Sequence, residues 1–180
     1  MQIAQGWLSD IERIESPNAD TRPAEEDISL LVIHNISLPP EQFGGPYISQ
    51  LFCNRLDPTE HPYFREIQQL KVSAHLLIDR AGTLIQFVPF HQRAWHAGVS
   101  EFEGRSRCND FSIGIELEGA DHIPFTDSQY SVLARVTRQL IDHYQLITKD
   151  RIVGHSDIAP RRKTDPGPAF DWQRYRQMVG

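Results

Sequence analysis

Phe111-Ser-Ile-Gly-Ile-Glu-Leu-Glu118 is followed, after a short polar break, by Thr126-Asp-Ser-Gln-Tyr130 and the run that continues to Tyr144. The first segment alternates with a period of two. Ile113, Ile115 and Leu117 take one face, and Gly114, Glu116 and Glu118 the other, as in a β-strand. In the second segment Tyr130, Leu133, Ala134, Leu140, Ile141 and Tyr144 recur at helical spacing. Thr126 reads as the N-cap and Gln129, three positions on, as its capping-box partner, so a helix is predicted over residues 127–144. A strand with an apolar face beside a helix with one apolar stripe predicts an α/β (α+β) class: a single domain with a central mixed β-sheet and packed helices.

Working outward, Ile28-Ser-Leu-Leu-Val-Ile-His34 reads as a buried strand closed by a polar residue, ahead of the break at Pro39-Pro40. The end of a buried strand is where α/β folds commonly place site residues. Val72 to Asp79 and Leu84 to Val88 flank Arg80-Ala-Gly-Thr83, the pattern of a hairpin. Tyr47 to Asn54 can form a short helix burying Ile48, Leu51 and Phe52. Residues 63–70 fit no period, and residues 89–110 read as irregular. Arg151 to Val153 is a short strand feeding Val153–Trp172, which Pro160, Pro166 and Pro168 exclude from helix interior or central strand. Asp171 to Met178 reads as a closing helical turn or two. Residues 1–27, with Pro17, Pro23, Glu25, Glu26 and Asp27, read as an irregular lead-in to a domain over residues 28–180.

At 180 residues the chain is long enough to bury a core without staples. A formal net charge of −6 argues against nucleic acid or an anionic membrane as partner, since both need a basic footprint. Cys53 and Cys108 are too few for a disulfide framework, which points to free thiols in a reducing compartment. The first ten residues lack the basic and apolar regions of a signal peptide, and no apolar run approaches the ~20 residues that span a bilayer. The expected location is the cytoplasm, with no membrane and no obligate protein partner.

Several polar side chains stand where chemistry could use them. His34 ends a strand, while His155 and Asp165 lie on the proline-stiffened stretch; two imidazoles and a carboxylate are a zinc-type ligand set. Neither spacing is a helical zinc motif, so the residues leave open both a metal site and ordinary hydrogen-bonded histidines with a turn aspartate. Glu116 could serve as a general acid–base, or sit solvated on an open sheet face. Lys163 could face a developing oxyanion, or be a surface lysine. Trp95-His96-Ala-Gly98 could line a groove or simply pack. Lys71 and Arg107 could meet substrate carboxylates or be solvated. His75, inside a strand, reads as a core or supporting histidine.

Six stretches together carry a resemblance. They are Leu31-Val-Ile-His-Asn35, Phe43-Gly-Gly-Pro-Tyr47, Val72-Ser-Ala-His75, Arg93-Ala-Trp-His-Ala-Gly98, Ser112-Ile-Gly-Ile-Glu-Leu-Glu-Gly119, and Gly154-His-Ser-Asp-Ile-Ala-Pro160 with Lys163-Thr-Asp-Pro-Gly-Pro-Ala-Phe-Asp-Trp172. In order and content the chain resembles, from about residue 5 onward, the zinc-dependent N-acetylmuramoyl-L-alanine amidases of the type called amidase 2. The resemblance implies the fold shared with phage lysozyme-type amidases and peptidoglycan recognition proteins. It implies cleavage, in the cytoplasm during cell-wall recycling, of the amide between the lactyl group of 1,6-anhydro-N-acetylmuramic acid and L-alanine of the stem peptide. One zinc per chain would then fall on His34, His155 and Asp165. Glu116 would be the catalytic acid/base, Lys163 the oxyanion stabiliser, and Asn35, Lys71, Trp95 and Arg107 the substrate contacts.

Two positions depart from the family pattern. Arg161 stands where relatives often have glycine, and Lys71 where arginine is common, which would turn a bidentate carboxylate contact into a single-point one. Two other activities are compatible with the same fold: a broad-specificity amidase of intact wall, and a non-catalytic peptidoglycan-binding module. The second characteristically lacks one of the zinc ligands, and this chain has all three.

Overall fold

The computed structural model describes residues 1–24 and 27–180, so Glu25 and Glu26 lie outside the described residues. In chain order the strands and helices are β1 (Ile3–Ala4), β2 (Trp7–Leu8), β3 (Glu12–Arg13), β4 (Ala19–Thr21), β5 (Leu30–Ile36), α1 (Tyr47–Phe52), α2 (Pro62–Ile67), β6 (Leu76–Ile78), β7 (Leu84–Gln86), β8 (Gln92–Ala94), β9 (Glu101–Phe102), β10 (Arg105–Ser106), β11 (Ser112–Glu118), α3 (Asp127–His143), β12 (Ile152–Gly154), α4 (His155–Ile158) and α5 (Trp172–Val179). The central sheet runs β12-β5-β11-β6-β7-β3. β12, β5, β11 and β6 are parallel, and β7 returns antiparallel to β6 as the expected hairpin. The mixed sheet with packed helices is as expected.

Parallel strands must be covered on both faces, and each face has its own cover. Leu31, Ile33, Ile113, Ile115, Leu117, Leu76 and Ile78 pack beneath α3 and α5. On the opposite face Leu30 and Val32 meet Ala97, Cys108, Phe111 and Ile158, while Leu77 lies under the apolar sides of α1 and α2. This corrects the alternative reading of Glu116 as a solvated glutamate on an open sheet face, since the row of Gly114, Glu116 and Glu118 is covered. Glu118 is 5% exposed; its carboxylate accepts from the backbone N–H groups of Gly44 and Arg80. Sequence alternation finds the two faces of a strand, but a polar residue on one of them does not say whether water or a loop lies over it.

α3 falls within a residue of the predicted span. Thr126 Oγ1 accepts from the Gln129 N–H (3.1 Å) and Gln129 Oε1 from the Thr126 N–H (3.0 Å). The fully buried Gln129 also donates to the Glu118 carbonyl at 2.8 Å, which bolts the helix start to the end of β11. The same box therefore caps the helix and sets its position on the sheet.

Within its described residues, 1–24 and 27, the lead-in is not irregular throughout. β3 forms the far edge of the central sheet against β7, and β4 pairs with β8. Arg22, 4% exposed, sends its guanidinium to the carbonyls of Phe90, Asn109, Asp110 and Ser112. Strands of two or three residues are too short to show a period, so only their tertiary partners reveal them. The same holds for β8 to β10 within residues 89–110. α2 was hidden for a related reason: six residues start at Pro62, with the His61 ring accepting the Tyr63 N–H as cap.

Candidate metal centre and catalytic cleft

Parallel strands β5, β11 and β12 bring their C-terminal ends to one edge of the sheet, the usual site position in such folds. His34 and Glu116 are direct register partners on β5 and β11, so they project side by side from one face. β12 ends at Gly154, whose N–H donates to Asp157 Oδ2 at 2.7 Å, and the chain turns at once into α4 with His155 at its first position. The proline-rich stretch therefore begins with one helical turn rather than loop, and Pro160 follows its end.

The return of that stretch is tied on both sides of Asp165. The Asp165 carbonyl accepts from the Ser156 N–H at 3.0 Å. The next carbonyl, that of Pro166, accepts from Asn35 Nδ2 at 3.0 Å, and the same amide donates to Asp121 at 2.7 Å. A β-carbon at Gly154 would lie 2.8 Å from Pro166 Cδ, so glycine here permits the close approach that delivers Asp165.

The three side chains converge. His34 Nδ1 lies 2.9 Å from Asp165 Oδ2 and 3.0 Å from His155 Nδ1, and His155 Nδ1 lies 3.1 Å from Asp165 Oδ2. Ligand atoms held tetrahedrally at roughly 2.0–2.1 Å from a zinc ion stand roughly 3.3 Å apart, so the observed spacings need a few tenths of an ångström of spreading. Donor type fits as well: burial pushes the His34 imidazole down to about 4, leaving it neutral at pH 7 with a lone pair to give. Burial opposes the Asp165 charge, but hydrogen bonds from His155 and His34 override it and hold the carboxyl well below its usual range. Two imidazoles and one carboxylate suit a divalent zinc-type ion. Both readings left open for this trio meet here: the three groups stand within hydrogen-bond reach of one another and form a group that could hold a metal ion.

Beside the trio opens a cleft of about 360 Å³. Glu116, Lys163, Asn35, Trp95 and His96 line its polar end; Ile36, Leu38, Tyr63, Ile67 and Val72 line the remainder. Glu116 Oε2 is buried with no hydrogen-bond partner among the described residues. Burial, with a lesser push from the Asp165 charge, holds the Glu116 carboxyl well above its ordinary 4.5, and Lys163 works the other way. An unpartnered carboxyl raised in this way is suited to taking and returning a proton. The sign of its cost follows. A raised pKa stabilises the fold below about pH 4.5, and that contribution is lost as pH rises toward the folded value. In metal-free protein, Glu116→Gln should leave stability unchanged near pH 4 and raise it increasingly above, read by urea unfolding. Equal denaturation midpoints across that range would rule out the burial cost.

Of the remaining expected site residues, Trp95 is fixed at the wall by its backbone N–H to Ser73 Oγ (3.0 Å). Lys71 and Arg107 are exposed and do not reach the cleft lining; Arg107 turns instead toward Asp110. Sequence reading quoted His96 within a motif but gave it no role, whereas its ring contacts His34 at 2.9 Å. Arg161 explains its own departure from the family pattern: its φ is +69°, a left-handed conformation that favours glycine. A side chain there costs roughly 1–2 kcal/mol, partly offset by the unfolded-state entropy of glycine. Arg161→Gly should therefore be neutral to about 1 kcal/mol stabilising, raising Tm by at most a few degrees; a loss of more than about 1 kcal/mol would show that the arginine side chain holds the turn.

Among the described residues no helix is long and apolar enough to cross a membrane. Residues 24–168 match a family model described as N-acetylmuramoyl-L-alanine amidase. The 1,6-anhydro-N-acetylmuramyl-L-alanine amidase AmpD of Escherichia coli (strain K12) is 60% identical over 179 residues, covering 99% of this chain and 97% of that one. A crystal structure of a selenomethionine AmpD derivative superposes with a TM-score of 0.97 at 57% identity, over the full length of both chains. The amidase AmiD from E. coli, in complex with anhydro-N-acetylmuramic acid-L-Ala-D-gamma-Glu-L-Lys as substrate, superposes at 0.62 with 31% identity, covering 88% of this chain and 60% of that one.

Proposed function

This chain belongs to the N-acetylmuramoyl-L-alanine amidase family, and on that premise we propose that it is a zinc-dependent amidase of cytoplasmic cell-wall recycling. It would hydrolyse the amide between the lactyl group of 1,6-anhydro-N-acetylmuramic acid and L-alanine of the stem peptide. The observation that carries this reading is the convergence of His34, His155 and Asp165 within 3.1 Å of one another, beside a buried, unpartnered Glu116 carboxyl. The near full-length identity to relatives named for that bond supports the choice of substrate.

His34, His155 and Asp165 would hold one zinc ion, which supplies Lewis acidity toward a water and the scissile carbonyl. Glu116 takes the proton of the attacking water as the lactyl carbonyl is attacked, and returns it to the alanine nitrogen as the C–N bond breaks. Burial raises the Glu116 carboxyl, which favours its role as a proton acceptor in the first task. Lys163 offers its ammonium to the oxyanion of the tetrahedral intermediate. Trp95 presents a flat wall to the sugar, and Asn35, already committed to the Asp165 loop, reaches the substrate only through its remaining carbonyl oxygen. Lys71 and Arg107, on the surface, meet only the distal carboxylates of the stem peptide.

Mass spectrometry of products from an anhydromuropeptide tests this reading. The expected result is release of the free stem peptide, abolished by chelator and restored by zinc. The same assay on the reducing-end form of the muropeptide measures the preference for the anhydro ring. Cleavage insensitive to chelation would overturn the metal assignment, and intact muropeptide would overturn the activity.

A further inference from the structure

We propose that His96 is a positioning residue for the metal centre, accepting the Nε2–H of His34 and so presenting His34 Nδ1 to Asp165 and His155. This inference rests on the zinc reading above.

The proton positions follow from the zinc reading taken together with the distances. His34 faces the trio through Nδ1, and a neutral imidazole that offers the Nδ1 lone pair carries its proton on Nε2. That nitrogen lies 2.9 Å from His96 Nδ1, which must then be the acceptor. His96 in turn carries its proton on Nε2, which lies 3.2 Å from Ser112 Oγ. Each ring nitrogen along the line thus has one role. The opposite tautomer of His34, which can donate Nδ1–H to Asp165 in the metal-free protein, would leave no Nδ1 lone pair for a metal ion. The two ring planes cross at 82° with centroids 5.0 Å apart, a twist about the Nε2···Nδ1 line that this hydrogen bond tolerates.

The backbone is shaped around this ring. A β-carbon at Gly114 would fall 2.5 Å from the His96 ring, so only glycine on this row of β11 lets the imidazole lie against the strand. The backbone N–H groups of His96 and Ala97 both donate to Asn109 Oδ1. The Ala97 carbonyl is within 3.1 Å of His155 Nε2 and accepts from it when Nδ1 faces the trio. Arg162 clamps the segment to the stretch bearing Asp165, donating to the carbonyls of Ala97 and Val99, both at 2.7 Å. One segment therefore orients both imidazoles, His34 through a side chain and His155 through a carbonyl. Partners of this kind typically set metal affinity by 10- to 100-fold.

Two amide substitutions separate positioning from packing. In His96→Asn the amide oxygen stands where Nδ1 was and can still accept from His34. In His96→Gln, closer to histidine in size, the amide stands where Nε2 was and cannot. Zinc affinity is measured by competition with a chromophoric chelator, alongside the thermal midpoint of each metal-free protein. The expected result is a zinc Kd near the parent value for His96→Asn and roughly 10- to 100-fold weaker for His96→Gln, both folded. A packing role predicts the reverse order. Parent-like affinity in His96→Gln, or equal weakening in both, overturns the proposal while leaving the zinc reading intact. A parent chain with no zinc affinity overturns both.

Discussion

Replacing Glu116 with glutamine should lower kcat by roughly 10²–10⁴-fold, the usual contribution of a general acid–base, while zinc content stays at the parent level. The substitution keeps the shape of the side chain and removes only its ability to exchange a proton. Glu116 lies on β11, apart from the strand, helix and loop that carry His34, His155 and Asp165, and its carboxyl is not one of the three converging groups. Turnover and metal content should therefore separate. Kinetics with an anhydromuropeptide, paired with elemental analysis of the same preparation, decide the point. A glutamine variant that retains activity at full zinc content removes Glu116 from the chemistry. One that loses zinc as well would instead make it part of the metal site. The stability gain expected above pH 4.5 in the metal-free form belongs to the same argument. A carboxylate buried without a partner costs the fold stability that a catalytic role would explain.

Asp165→Ala should weaken zinc binding by more than the ~100-fold that supporting residues typically control, because Asp165 carries the only negative charge in the trio. Dialysis against a metal buffer followed by elemental analysis reads this directly, and unchanged zinc would reject Asp165 as a ligand. The metal-free protein gives a second, independent readout. Asp165 is held below its ordinary 3.8 by the hydrogen bonds that override burial. A lowered carboxyl contributes stability above the unfolded value and loses it as pH falls. Metal-free Asp165→Asn should therefore be less stable than the parent near pH 7, with the difference shrinking below about pH 4. Glu116→Gln has the opposite sign over the same range, so the pair of substitutions tests whether the two carboxyls differ as their surroundings imply.

The chain's local chemistry wrote out the elements that are long enough to carry a period. The alternation of Ser112 to Glu118 placed Glu116 opposite the apolar face, and the box of Thr126 and Gln129 started α3 within a residue of where it begins. The apolar run ending at His34 marked a site-bearing strand end. These depend on neighbours a few positions apart, so they are determined by the sequence itself. Short elements and long-range meetings are not. β3 is two residues long and exists as a strand only because β7 lies beside it. The Glu116 face is covered because loops from residues 91–110 fold over it, which no feature of Ser112 to Glu118 specifies.

The metal centre shows the same division. Residue types alone placed a histidine at a strand end and a histidine with an aspartate on a proline-rich stretch, and left open whether they ever meet. His34 and Asp165 are 131 positions apart. Only the parallel pairing of β12, β5 and β11 brings their ends to one edge, and only Gly154 and Asn35 let the final stretch return close enough to close the trio. Which nitrogen of His34 faces inward, and that His96 takes the other, depends on ring orientations packed against Gly114. Periodicity reports which way a side chain points from its own backbone; the register between strands decides what it finds there.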